Sequence, residues 1–221
     1  MTSYLAPFAA GALLFTAACS GAEPPAPKPS TAASPASPAA AAHATPAAAA
    51  PAAANALPRF VQAAGTGSLE FEFVQAGAVT PGRFRQFATE LQYDENQLAA
   101  GRLKVTVQIG SLDTQEKDRD GTLASAELLD KVRFPTAQYS ATGFVKRGAG
   151  LEATGKLTLH GVTRELRLPL TIRTTKDGVE VSGETTIKRL DYGVGQGDWK
   201  STEWVNDEVK LRYRVPLARA K

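Results

Sequence analysis

The sequence predicts an all-β antiparallel domain, either a closed barrel or a sandwich, of roughly six to nine strands. Three observations support this. Apolar and polar residues alternate in run after run, turns recur at hairpin spacing, and a single short segment has a helical pattern. Because an Ala- and Pro-rich stretch gives way to ordinary globular composition near residue 58, residues 58–221 are predicted to form one folded domain.

The clearest pair of strands lies between Leu151 and Arg173. Two alternating runs are separated there by the residues from His160 to Thr163, which are predicted to form a turn of four residues. The inward positions of the two runs are Leu151, Ala153, Gly155, Leu157 and Leu159, then Leu166, Leu168, Leu170 and Ile172. The opposite face carries Lys, Thr, Arg and Glu, so this hairpin must close over an apolar interior.

Four further runs show the same alternation and complete the predicted sheet. Their inward residues are Leu69, Phe71 and Phe73; Leu103, Val105, Val107 and Ile109; Val179, Val181 and Ile187; and Val209, Leu211, Tyr213, Val215 and Leu217. Phe84 and Phe87 are three residues apart, which breaks the alternation. This spacing predicts a bulge or bend between them.

One segment, from Thr122 to Lys131, has the pattern of a short helix. Thr122 is its predicted N-cap, and its leucines at 123, 128 and 129 are the predicted packing residues. The densest charge cluster of the chain, Asp118-Arg119-Asp120, comes just before it. Arg119 either meets an anionic head group at a cavity entrance or has a structural role, in which it pairs with Asp120 or caps the neighbouring turn. The sequence leaves these interpretations open.

Small residues recur on the predicted inward face and bear on what fills the interior. Ala141, Gly143, Ala153, Gly155 and Gly183 are interspersed there with Leu, Phe and Tyr. They either leave a cavity inside a barrel or make room for large neighbours, and the pattern alone does not decide between the two. A cavity would favour a binding module, whereas a filled interior would favour an interaction module.

The first third of the chain predicts export. Phe8 to Ala18 is an apolar run of signal-peptide length, too short for a membrane span. Cys19, the single cysteine, follows it and resembles the acylated residue of a bacterial lipoprotein, which would anchor the chain after removal of residues 1–18. An ordinary cleaved signal is the alternative. Residues 19–57 are predicted to be a disordered Ala/Pro tether. A periplasmic lipoprotein, anchored in the outer membrane of a Gram-negative bacterium, is therefore expected.

Composition excludes several classes of function. The net charge is +3, and Lys and Arg are interleaved with Asp and Glu, so no nucleic-acid partner is expected. The domain contains one histidine, His160, and lacks a Gly-x-Ser-x-Gly motif, so neither a metal site nor a catalytic residue is predicted. The glycine-rich run from Gly193 to Gly197 leads into no helical pattern, and we interpret it as a hairpin or cavity rim instead of a phosphate-binding loop.

Two motifs are more specific than the alternation. One is Phe134-Pro135 followed by Ala137 and Phe144, and the other is the run from Leu157 to Thr163, LTLHGVT. In this order they resemble the YceI-like family of periplasmic polyisoprenoid-binding proteins. The resemblance covers roughly residues 67–217 and implies a lipocalin-like barrel whose elongated apolar cavity holds an isoprenoid chain. The histidines that many members carry near the first strand and the helix are missing here, so head-group contacts by histidine cannot be transferred.

The resemblance favours non-enzymatic binding or transport of an isoprenoid lipid or similar amphiphile, such as a polyprenyl phosphate or a quinone, in the bacterial cell envelope. The alternatives are a quinone-linked redox or stress-related enzyme partner and a packed barrel that serves as an interaction module without ligand. The predicted pocket residues are Phe71, Phe73, Val105, Val107, Tyr139, Leu157, Leu159, Leu168, Trp199, Trp204 and Tyr213. The two tryptophans either line the cavity mouth or cover the barrel end. The sequence leaves the oligomeric state open.

Overall fold

The computed structural model describes residues 57–220, which form eleven strands and one α-helix. The strands are β1 (Arg59–Gln62), β2 (Ser68–Gln75), β3 (Ala78–Phe84), β4 (Phe87–Gln92), β5 (Arg102–Gln108), β6 (Leu112–Asp113), β7 (Thr136–Arg147), β8 (Gly150–Leu159), β9 (Val162–Thr174), β10 (Gly178–Lys188) and β11 (Val205–Arg219), and the helix is α1 (Lys117–Leu123). The predicted signal peptide, Cys19 and the tether up to residue 56 lie outside the described residues and stay predictions.

Eight of the strands close into an antiparallel barrel of lipocalin-like architecture. Their order is β1-β4-β5-β7-β8-β9-β10-β11, and β1 pairs again with β11, where Val61 lies opposite Ala218. Strands β2, β3 and β6 extend the sheet from the same edge of β11. The closure confirms a barrel and excludes the sandwich. More strands are present than predicted, because bends split continuous stretches; one such bend separates Phe84 from Phe87, as the spacing indicated.

The hairpin of β8 and β9 confirms the predicted faces but not the predicted turn. Ala153 pairs with Leu168, and Gly155 pairs with Leu166. The turn has two residues, His160 and Gly161, instead of four, since the ladder continues to their flanking positions. Both turn residues have positive φ, 51° and 75°, as a tight hairpin turn requires.

The helix is displaced from its predicted position. The prediction of a helix from Thr122 to Lys131 was wrong, because α1 ends at Leu123 and the following residues form turns. Thr122 is not an N-cap; its hydroxyl donates to the carbonyl oxygen of Asp118 at 2.9 Å, within the last turn. The helix forms earlier because the Asp120 carboxylate accepts bonds from the backbone N–H and hydroxyl of Thr114, at 2.8 and 2.6 Å. These bonds fold the approach segment against the helix.

One half of the barrel interior is filled by side chains. Its apolar cluster includes Phe60, Leu91, Ala141, Phe144, Ala153, Leu170, Val179 and Leu217. The alternation predicted that Gly143 takes an inward position in a regular ladder, and this prediction was wrong. Gly143 has a φ of 82° at a register shift between β7 and β8, and Phe144 points into the core instead. This end of the barrel is therefore closed by packing.

Candidate functional site

The other half of the barrel encloses an apolar cavity with a volume of about 230 Å³. Side chains from β2, β3, β4, β5, β7, β8, β9, β10 and β11 form its wall. Most of them are Leu, Val, Ile or Phe, because these are the apolar positions of the alternating strands. The barrel is thus hollow at one end and packed at the other.

Most of the predicted pocket residues lie in this wall. Those that line the cavity are Phe71, Phe73, Val105, Val107, Tyr139, Leu157, Leu159, Leu168, Trp199 and Tyr213. Trp204 does not line the cavity. It is 69% exposed and lies in the turn before β11. Val205 is the residue that turns inward there, so the preceding side chain points to the opposite face. That these residues contact a ligand stays a prediction.

Two tyrosines form the floor of the cavity, where glycines make room for them. The Tyr139 hydroxyl lies 3.0 Å from the carbonyl oxygen of Ala153, and the Tyr213 hydroxyl donates to the carbonyl oxygen of Pro169. A Cβ atom on Gly155 would come 2.8 Å from Tyr139 Cζ, and one on Gly183 would come 2.7 Å from Tyr213 Cζ. At these two positions the small residues accommodate large neighbours. Burial raises the pKa of both tyrosines, so the hydroxyls stay protonated.

Two segments, residues 117–135 and 189–204, cover the hollow end; we call them the first and second cover segments. The first contributes Leu123, Leu128 and Leu129 to the cavity wall, and the second contributes Val194 and Trp199. The predicted packing role of the three leucines is therefore confirmed, although the helix itself is elsewhere. The glycine-rich run from Gly193 to Gly197 belongs to the second segment, where Val194 lines the cavity. It leads into a short 3-10 helix from Gly197 to Lys200 and does not form a hairpin.

Glu127 joins the two cover segments. Trp199 Nε1 donates to the carboxylate oxygen Oε2 of Glu127 at 2.9 Å, and the backbone N–H of Gln196 donates to its carbonyl oxygen at 2.8 Å. Trp199 also lines the cavity, so the same residue forms part of the wall and links the two cover segments. We call its hydrogen bond to Glu127 the clasp. The two hydrogen bonds to Glu127 tie the cover segments together at the hollow end.

Arg189 is a buried charged residue of the cavity wall that the sequence analysis did not identify. It is 4% exposed, lines the cavity, and follows Ile187 at the same inward parity. Its guanidinium donates to the carbonyl oxygens of Val194, Ser201, Val205 and Asn206, at 2.8 to 3.1 Å. These bonds fix the second cover segment. Burial lowers the pKa of Arg189, although the nearby carboxylate of Asp207 acts in the opposite direction.

Arg119 lies on α1 and also lines the cavity. It pairs with Glu116, not with Asp120, whose carboxylate is occupied by Thr114. The prediction that Arg119 forms a local ion pair was therefore correct, but the predicted partner, Asp120, was wrong. The other alternative, contact of Arg119 with an anionic head group, stays a prediction.

Asp113 precedes the first cover segment and fixes the short strand β6 to β3. Its carboxylate accepts bonds from Arg83 Nε at 2.8 Å and from Arg85 Nη2 at 2.8 Å. Hydrogen bonds from Arg85 and Arg83 lower the pKa of Asp113 to about 2. These two arginines, which alternation alone would assign to a solvated strand face, therefore hold β6 against β3.

His160 packs in its turn against Phe134, with ring centroids 4.7 Å apart. Its Nε2 is buried without a hydrogen-bond partner among residues 57–220, and no carboxylate orients the ring there. Within the same range, His, Cys, Asp and Glu form no cluster suited to a metal ion. No helix of residues 57–220 is long and apolar enough to cross a bilayer.

Comparison with protein families and curated proteins gives consistent relatives. The model of the YceI-like domain matches residues 61–217. A UPF0312 protein of Enterobacter sp. (strain 638) is 36% identical over 124 residues, which cover 52% of this chain and 65% of that protein. Protein YceI of Salmonella arizonae is 34% identical over 121 residues, covering 51% of this chain and 62% of that protein. The chain thus spans a little less than two thirds of each relative.

Solved structures give the same fold. Burkholderia cenocepacia BcnA matches with a TM-score of 0.68 and 25% identity, covering 71% of this chain and 99% of that chain. A polyisoprenoid binding domain from Saccharophagus degradans, implicated in plant cell wall breakdown, matches with a TM-score of 0.59 and 16% identity. The second match covers 74% of this chain and 99% of that chain, and at this identity it concerns the fold alone.

Proposed function

Because the chain belongs to the YceI-like family, we propose that its domain binds the apolar chain of an isoprenoid lipid, or of a similar amphiphile, inside the barrel cavity. The observation that carries this proposal is the hollow, apolar half of a closed barrel. A polyisoprenoid-binding neighbour of the same fold supports the choice of ligand class. Polyprenyl phosphates and quinones both have such chains.

Burial of the chain would supply sufficient affinity. Each CH₂ group removed from water contributes about 0.8 kcal/mol, so ten such groups contribute about 8 kcal/mol. The entropy costs of association and of ordering the chain reduce this figure. Longer isoprenoid chains contain more than ten such groups, and the additional groups offset these costs. Binding in the micromolar range corresponds to roughly 8 kcal/mol, and an isoprenoid chain can therefore reach it without covalent chemistry.

We propose binding or transport without catalysis. The titratable side chains of the described residues that line the cavity are Arg119, Arg189, Tyr139 and Tyr213. Both tyrosine hydroxyls are engaged with backbone carbonyls, and burial raises their pKa values, so neither acts as a base near neutral pH. Arg189 donates four hydrogen bonds to backbone carbonyl oxygens, which hold its guanidinium in place. This arrangement favours a carrier over a quinone-linked enzyme.

We place this activity in the bacterial cell envelope. The signal-peptide pattern and Cys19 support a periplasmic domain attached to the outer membrane through an acylated cysteine. Mass analysis of the N-terminal peptide from wild type and Cys19→Ala tests the anchor. An unmodified wild-type peptide would contradict it.

Native mass spectrometry of the full chain, expressed in a Gram-negative host and followed by organic extraction, tests the ligand. We expect a bound isoprenoid or related amphiphile in the wild type. Val107→Lys should abolish loading, because it places a charge in the apolar wall, whereas Gln108→Lys on the exposed face of the same strand should load normally. A folded Val107→Lys variant that retains the lipid would contradict the proposal.

A further inference from the structure

The charges in the cavity wall all have one sign. Among the described residues that line the cavity, Arg119 and Arg189 carry formal charges, and none of the lining residues is Asp or Glu. The other polar lining residues are neutral Gln, Thr and Tyr side chains. Both charges have acidic neighbours outside the lining, since Glu116 pairs with Arg119 and the carboxylate of Asp207 lies near Arg189. The lining itself therefore offers cationic donors, and no anionic group, to a molecule in the cavity.

The two arginines differ in the number of N–H donors that are free to bind a ligand. Arg189 donates to four backbone carbonyl oxygens and thereby holds the second cover segment. It contributes charge but is fixed in place. Arg119, by contrast, makes a single side-chain hydrogen bond within residues 57–220, from Nη2 to Glu116. A guanidinium has five N–H donors, so most of those of Arg119 are open to a ligand.

The partner of Arg119 can be exchanged. The Arg119 side chain is 29% exposed and that of Glu116 is 54% exposed, so the pair lies at the boundary of cavity and solvent. Exposed ion pairs contribute little to stability. An oxyanion at the cavity end can therefore replace Glu116 or share the guanidinium with it, at little cost to the fold. Arginine is suited to this because it binds phosphate or carboxylate with two parallel hydrogen bonds.

We propose that Arg119 selects an amphiphile with an oxyanion head group, a phosphate or a carboxylate, and holds that group at the covered end while the apolar chain extends to the tyrosine floor. This inference rests on the proposed function and narrows it, because it favours anionic lipids over quinones. Glu116 acts as an internal competitor for the head group. Arg119 is thus a specificity-determining residue, whereas the apolar wall supplies chain affinity.

Matched ligands test the proposal. Geranylgeranyl phosphate and geranylgeraniol share one chain, and palmitate and hexadecanol share another, so the ratio of their dissociation constants isolates the head group. With the delipidated full chain, we expect each anion to bind about tenfold tighter than its alcohol. Preference in both pairs indicates a general oxyanion site, and preference in the first pair alone assigns the site to phosphate.

Three variants provide the controls. Arg119→Gln should reduce the preference to within about threefold while the affinity for geranylgeraniol stays unchanged. Lys117→Gln removes the same charge from an exposed position of α1 and should leave the preference intact. Glu116→Gln should increase the preference, since the competing carboxylate is lost; this variant keeps Arg119 and does not depend on the folding of Arg119→Gln.

Two results would overturn the assignment. One is equal binding of anion and alcohol by the wild type in both pairs, and the other is an undiminished preference in folded Arg119→Gln. Both leave chain binding, and therefore the proposed function, in place. Failure of every ligand to bind, the alcohols included, would contradict the proposed function as well.

Discussion

The two halves of the barrel interior are built from the same strands but differ in packing. On β4, Leu91 is 1% exposed in the filled half, whereas Phe87, at the same parity, is half-buried beside the cavity. Leu217 and Leu211 show the same contrast on β11. Alternation therefore determines which face of a strand points inward. Whether another side chain or a void lies opposite depends on residues far away in the sequence.

The filled half should be the part that stabilises the fold. We expect Leu91→Ala to lower the free energy of unfolding by about 2 to 5 kcal/mol, because it opens a void in a close-packed cluster. Leu157→Ala enlarges a cavity that already exists and should cost about 1 kcal/mol, mainly the lost transfer energy. Urea unfolding of the delipidated protein measures both. Equal losses would show that the two halves are not mechanically distinct.

The border between the halves should be sensitive to added volume. A Cβ at Gly183 would overlap the Tyr213 hydroxyl and the carbonyl oxygen of Pro169. We expect Gly183→Ala to destabilise by about 1 to 3 kcal/mol through this overpacking. Gly121→Ala is the control, since no atom lies within 4 Å of its Cβ position, and it should stabilise α1 by about 0.5 to 1 kcal/mol. Similar unfolding midpoints for the two variants would contradict this description of the floor.

The hollow half should exchange ligand through its cover. Trp199→Phe keeps an aromatic ring in the wall but removes the N–H that donates to Glu127. We expect release of a bound lipid to accelerate roughly three- to tenfold, with little change in the unfolding midpoint. Stopped-flow transfer to acceptor vesicles measures the rate. Trp204→Phe, outside the cavity, should release at the wild-type rate, and a similar acceleration there would exclude the clasp as the cause.

Alternation was sufficient to predict β2 and five of the eight barrel strands, β5, β8, β9, β10 and β11, and with them most of the cavity wall, but it did not identify β1, β4 or β7 as regular strands. The apolar face of each strand has to be buried, so its residues could be identified without knowing their partners. Trp199 and Trp204 could not be separated in this way, because a turn between them resets the parity. Arg189 was missed although it left a signal: an arginine at the inward parity after Ile187, where an apolar residue is expected.

Local chemistry decided the places where the sequence analysis was wrong. The leucine spacing after residue 122 suggested a helix, but Leu123 is the last residue of α1, and Leu128 and Leu129 pack over the cavity from the turns that follow, where Asp130 has a φ of 42°. The hairpin turn was predicted too long because His160 was not expected to adopt positive φ. Histidine is enriched among non-glycine residues in that conformation. Both errors come from backbone conformations that side-chain patterns do not encode.

The two ends of the domain meet at the filled half. Residues Phe60 and Arg219 are paired across β1 and β11, and the backbone N–H of Ala220 donates to the carbonyl oxygen of Arg59 at 2.8 Å. Termini held side by side allow a domain to be inserted into a loop of another protein, or to be circularly permuted, without strain. Here both operations would act on the packed end, so a grafted barrel would present its cavity outward, as a ready-made receptor module for amphiphiles.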